Sequence, residues 1–185
     1  MDNFEVIEEM VRQTKKWITD VVIGLNFCPF ASKVMKDRKV HFRMEPSETL
    51  SICLEAVMEE FDRLDKNNAI ETTIIILPHS FHSFSNYLDF VALAEKLLKK
   101  HGYEGVYQIA SFHPDYCFAG VQESDAANYT NRSPYPMLHI IREESIEQVL
   151  KQYPNAHEIA DRNVNFAREK GEAYMKMLRD ACMGL

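Results

Sequence analysis

Residues 71–78 read ETTIIILP, and this run decides the fold. Its centre is unbroken apolar and β-branched, it is too short for a helix, and Pro78 closes it. A run of that kind is a strand covered on both faces. On its N-terminal side, Ser47 suits an N-cap for a helix whose buried face is Leu50, Leu54, Val57, Phe61 and Leu64. On its C-terminal side, Ser83 can cap a helix that turns Tyr87, Phe90, Val91, Ala94, Leu97 and Leu98 inward. Lys99, Lys100 and His101 then complement the helix dipole before Gly102 ends it.

Further out, VHFRM (40–44) alternates as a short strand, VYQIASF (106–112) is a third, and MLHIIRE (137–143) is a fourth. Phe4, Ile7, Val11, Ile18, Val22 and Leu25 recur at helical spacing, which predicts a long amphipathic N-terminal helix over about 3–25. Ser145 and Gln148 form a capping box for a short helix reaching about Tyr153. A long C-terminal helix from about Ala156 to Ala181 is weakened at Gly171. Strands separated by helices are the pattern of βαβ units. The expected fold is one α/β domain over 1–185, with a four-stranded mixed sheet layered by helices.

The chain has 185 residues, 46% hydrophobic and 26% charged, which suits one packed core. A net charge of −7 with no Lys/Arg cluster argues against a nucleic-acid partner. The acidic start, MDNFEVIEEM, is unlike a signal peptide, and VVIGL and IIIL are too short to span a bilayer, so a cytoplasmic protein with no membrane partner is expected. Cys28, Cys53, Cys117 and Cys182 include no C-x-x-C pair, and reduced thiols are expected. No glycine-rich nucleotide loop is present, and the sequence names no cofactor and no oligomeric state.

Chemistry concentrates after the third strand. His113-Pro114-Asp115-Tyr116 lies at that strand's carboxyl end, where ligands bind in open α/β sheets. Pro114 fixes the direction of His113, and Asp115 is placed to orient the imidazole or act as a second base. The plain alternative is a packed turn. The segment joining strands three and four is long, and such loops are often functional. In it, Asn128, Thr130, Asn131 and Ser133 surround Arg132, stiffened by Pro134 and Pro136. A guanidinium among amides and hydroxyls is equipped to grip a carboxylate or phosphate, although a salt bridge or a well-bonded loop is the simpler alternative.

On the fourth strand His139 has apolar neighbours, and Arg142 shares the opposite face. His139 matters only if strands three and four are adjacent and bring it toward His113. Cys28, before Pro29, is placed at the N-cap of a new helix, where the dipole favours the thiolate. Otherwise it is a small packing residue. His113, Asp115, His139 and Cys28 could ligate zinc or iron, but none are spaced as H-x-H or H-E-x-x-H, and no metal is expected.

The strings NFCPFA, ETTIII, ASFHPDYCFAG and NYTNRSPYPMLHIIRE together resemble a bacterial family catalogued as a domain of unknown function. The likeness runs from about Lys15 to Tyr153. It implies that Cys28, Pro29, His113, Pro114, Asp115, Tyr116, Phe118, Asn128 to Pro134, Pro136, His139 and Arg142 recur among relatives, and it implies no activity.

The reading that follows is a small-molecule enzyme of hydrolytic or group-transfer type. His113 oriented by Asp115 would be the acid or base. Arg132, with Asn128, Thr130, Asn131, Ser133, Tyr116, His139 and Arg142 around it, would hold an anionic substrate, and Cys28 is a candidate nucleophile. The alternative is a non-catalytic module binding an anionic metabolite or a protein. The enzyme reading requires His113, Arg132 and Cys28 to converge on one pocket.

Overall fold

A computed structural model describes residues 3–151 and 155–185. The central strand is β2 (Thr72–Ile76), buried along its whole length as its unbroken apolar run requires. It pairs in parallel with β1 (Val40–Met44), and α3 (Leu50–Lys66) makes the crossover between them. After α4 (Phe84–Lys100) come β3 (Tyr107–Phe112) and β4 (Met137–Arg142). β4 inserts antiparallel between β2 and β3, so the sheet order is β1-β2-β4-β3 and the sheet is mixed. One consequence positions everything below. The carboxyl ends of β1, β2 and β3 all lie at the same end of the sheet.

Side-chain alternation divides the core into two layers. On one face, Ile75, Leu77, Tyr107, Leu138 and Ile140 pack against Cys53, Val57, Phe61 and Leu64 of α3 and Tyr87, Phe90, Ala94 and Leu98 of α4. On the other, Ile74, Ile76 and Met137 pack against Trp17, Ile18, Val21, Phe27, Tyr129, Ala167, Met175 and Cys182. Each fully buried side chain of this size contributes about 1.5–3 kcal/mol, so both faces are needed to hold the sheet.

Several expected boundaries shift. α1 runs from Asn3 to Trp17, and Ile18–Ile23 continue as a π-helix instead of α-helix. Gly24 follows because a Cβ there would lie 2.3 Å from the Asp20 carbonyl oxygen. α3 is capped by Thr49 and not Ser47, whose hydroxyl accepts the Thr49 N–H, and Leu50 is 43% exposed instead of buried. Ser83 does occupy the N-cap of α4, though its side chain makes no capping bond.

α5 (Glu143–Leu150) begins directly after β4 with Arg142 at its N-cap, so the expected capping box lies inside the helix, where Ser145 bonds Glu71. The expected end at Tyr153 falls outside the described residues. The C-terminal helix is two helices, α6 (Ile159–Lys170) and α7 (Glu172–Asp180), broken at Gly171 with φ 81°. At that angle glycine ends one helix and begins the next without steric cost.

Candidate functional site

The turn after β3 is held from both sides, and the groups that hold it are those the sequence marked as reactive. His113 is 1% exposed and lies in the α3/α4 layer, with ring centroids 5.2 Å from Phe84 and 5.0 Å from Tyr87. Its Nδ1 accepts the Asp115 backbone N–H at 2.9 Å, so the ring proton sits on Nε2 and is donated to the Phe81 carbonyl at 2.8 Å. Both nitrogens are therefore committed to main chain. Burial pushes the His113 pKa down, which the bond to Phe81 and the nearby Asp115 oppose and nearby His82 reinforces. The expected relation is reversed: His113 orients Asp115, through the backbone. The Asp115 residue itself is exposed.

On the other side, Arg132 donates from Nε to the Tyr116 carbonyl at 3.0 Å and from Nη2 to the Glu123 carbonyl at 2.8 Å, and it lies 4.7 Å over the Tyr129 ring. Its Nη1 stands 3.9 Å from Glu172 at the start of α7. Arg179 of α7 lies 5.5 Å over the same ring and donates to the Pro114 carbonyl at 3.0 Å. Two guanidinium groups thus fix the carbonyls on either side of Asp115.

The polar loop is satisfied internally as well. Asn128 is fully buried, accepting the Phe118 N–H and donating to the Gln122 and Glu123 carbonyls. It belongs to a short 3₁₀ turn, Ala126–Thr130, capped by the Asp125 carboxylate. Thr130 bonds the Ala127 carbonyl, Asn131 donates to the Ser111 carbonyl, and Ser133 donates to the Tyr135 carbonyl. Buried polar groups must be paired, and these residues pair one another's backbone.

The remaining candidates stand elsewhere. β3 and β4 are adjacent, but His139 lies opposite Ala110 on the second face, beside Phe112 and Ile74, so it does not approach His113. Its Nε2 bonds the Thr72 hydroxyl at 2.6 Å, and burial pushes its pKa down to about 4. Arg142 donates to the Leu64 and Ile70 carbonyls and to the Tyr107 hydroxyl, which closes the C-terminal end of α3.

Cys28 does not sit at a helix N-cap. Phe30 does, and the six-residue α2 (Ala31–Lys36) follows it. Burial raises the Cys28 thiol pKa, against a smaller lowering by the Phe30 and Ala31 amides, so the thiolate is disfavoured. Its neighbour Phe27 packs on Phe166 of α6, in the layer opposite His113. The neighbourhood of Cys28 and the His113 ring therefore lie in opposite layers, while Arg132 and His113 hold the same turn. Among the described residues no three His, Cys, Asp or Glu side chains group as a metal site.

Sequence reasoning missed the loop from β2 to α4, LPHSFHSF (77–84). Phe81 sits there at φ 57°, a left-handed conformation that is strained for a bulky residue. His79 and His82 are exposed beside it. Its signal was present: two histidines and two serines directly after a buried strand, at the sheet end where β3 also terminates. Together His82, Phe84, Asp115 and Tyr116 form the accessible rim around buried His113. The Tyr116 ring packs 5.3 Å from Phe84 and 5.0 Å from Phe118, and burial raises its pKa against an opposing bond to Ser111.

A family model described as "Protein of unknown function (DUF1415)" matches residues 9–177. The chain belongs to this family. The DUF1415 match extends beyond the quoted motifs at both ends, taking in most of α1 and the first two thirds of α7, and ends before Arg179. No curated protein and no solved structure matches the chain. No helix among the described residues is long and apolar enough to cross a membrane.

Proposed function

We propose that this DUF1415 chain is a small-molecule enzyme of hydrolytic or group-transfer type whose working group is the Asp115 carboxylate, with His113 as its positioning residue. One observation carries the reading. Within His113-Pro114-Asp115-Tyr116, Asp115 is the exposed residue, while His113, Arg132 and Arg179 all bond the backbone around it. A carboxylate carried on a fixed backbone and open to solvent is placed to take a proton from an attacking water or hydroxyl. His82 is the nearby second acid–base group, close enough to act on the charge of His113. Four free cysteines suit a reducing compartment, which favours the cytoplasm.

A second reading has Arg132 grip an anionic small molecule without catalysis. It is favoured by the polar side chains of Asn131 and Ser133 on either side of Arg132, and it requires an anion to displace Glu172, which stands 3.9 Å from Arg132 Nη1. Thermal-shift screening of a metabolite library against wild type and Asp115→Asn separates the two. A ligand that binds the native state raises the melting temperature by mass action. The enzyme reading expects that rise to disappear in Asp115→Asn, and the anion reading expects it to persist there and disappear in Arg132→Lys.

A further inference from the structure

We infer that the group recognised at Asp115 is a cation, an organic ammonium carried on an apolar body, and not an anion. The inference rests on the reading of Asp115 as the working carboxylate. Its first support is the wall beside that residue. Phe84, Tyr116 and Phe118 form a continuous run of partly buried rings, with Phe84 and Tyr116 5.3 Å apart at 57° and Tyr116 and Phe118 5.0 Å apart at 74°. Aromatic faces carry negative quadrupole charge and attract ammonium groups, most strongly where an anion completes the cage. Asp115, exposed and next to Tyr116 in the chain, supplies the anion.

The second support is the placing of the positive charges. Arg132 and Arg179 approach the same turn from the opposite layer, stacked on Tyr129, with their nitrogens on the Tyr116, Glu123 and Pro114 carbonyls and the Asp180 carboxylate. Their hydrogen bonds go to the backbone around Asp115 and to Asp180. A net charge of −7 further raises the local concentration of positively charged ligands.

The test titrates the intact chain by NMR with benzyltrimethylammonium, benzyl alcohol and benzoate, which share a ring and differ in charge. The ammonium probe is expected to bind at least about tenfold more tightly than the other two and to shift the Tyr116 and Phe118 ring resonances. Asp115→Asn should abolish that preference with the melting temperature retained, and Asp115→Glu should restore part of it. Preference for benzoate, lost in Arg132→Lys, overturns the inference and favours the anion reading. Equal binding of all three, or none, overturns it as well. Failure of the parent reading looks different: Asp115→Asn then keeps full affinity for whichever metabolite the screen returns. If that metabolite is lost in Asp115→Asn while the probes show no preference for charge, the cation inference alone falls.

Discussion

His113 donates its Nε2 proton to the carbonyl of Phe81 at 2.8 Å, and Phe81 has a left-handed backbone at φ 57°. This bond ties the end of β3 to the loop that leaves β2, and the ring's other nitrogen fixes Asp115. Replacing His113 by Phe keeps the ring volume but leaves the Phe81 carbonyl and the Asp115 amide without their partner. Each buried group left unpaired costs about 1–3 kcal/mol. His113→Phe should therefore lower unfolding free energy by about 2–4 kcal/mol in urea denaturation. A loss below about 0.5 kcal/mol would mean the ring is not a structural tie.

Tyr87 occupies an unusual position in the same corner. Its hydroxyl donates to the Met137 carbonyl at 2.6 Å and accepts the Phe112 N–H at 3.1 Å, so it stands between β3 and β4 at the last pair of their ladder. Burial pushes its pKa up. Tyr87→Phe removes one oxygen that serves two main-chain groups, and a loss of about 1–3 kcal/mol is expected. Hydrogen exchange should locate it, with the Phe112 amide becoming less protected than in wild type.

Stability should also fall in mild acid, and the sign follows from the histidines. Burial lowers the pKa of His139 from 6.5 to about 4, and it lowers those of His113 and His41 as well. Between the folded and unfolded values the unfolded chain binds more protons. The contribution is thus complete above about pH 6.5 and is lost as pH falls toward about 4. For His139 alone the loss is at most about 3 kcal/mol. Unfolding free energies measured from pH 7 to 4 should decline, and His139→Asn should flatten the decline. An unchanged slope in that variant would remove His139 as a source.

The strands and the covering helices were legible because each rests on local pattern: a β-branched run such as TTIII, or the helical spacing of Tyr87, Phe90 and Ala94. The roles of the motif residues were not legible. His113, Asn128, Arg132 and Arg142 are polar residues of the kind that bind ligands, and the sequence does not show that their partners are carbonyls up to 78 positions away. Strand adjacency was also insufficient to place His139. A strand alternates faces, and His113 and His139 fall on opposite ones despite β3 and β4 being paired. In the loop 77–84 the histidines are visible in the sequence, but the left-handed turn at Phe81 is not, because it has no signature of the kind glycine provides.

Cys28 provides a check on the electrostatics. A thiol whose pKa is raised by burial carries little thiolate at neutral pH, and the thiolate is the reactive form. Brief, limiting alkylation followed by mass spectrometry should label Cys28 slowly at pH 7 and progressively faster as pH rises. Cys53, fully buried and bonded to the Ser47 carbonyl, should label only on unfolding. Rapid labelling of Cys28 at pH 7 would return it to consideration as a nucleophile.

The division of labour in the turn, with Asp115 acting and His113 and Arg132 holding, is tested most directly by comparing three variants in one experiment. Melting temperature and affinity for the screened ligand are measured for Asp115→Asn, His113→Phe and Arg132→Lys. Asp115→Asn should melt within about 2 °C of wild type and lose ligand affinity by at least about tenfold. Arg132→Lys should melt several degrees lower, because a lysine cannot reproduce the paired bonds to the Tyr116 and Glu123 carbonyls, and His113→Phe should fall further. The contrary result is Asp115→Asn binding as wild type does, while His113→Phe and Arg132→Lys melt normally and bind nothing.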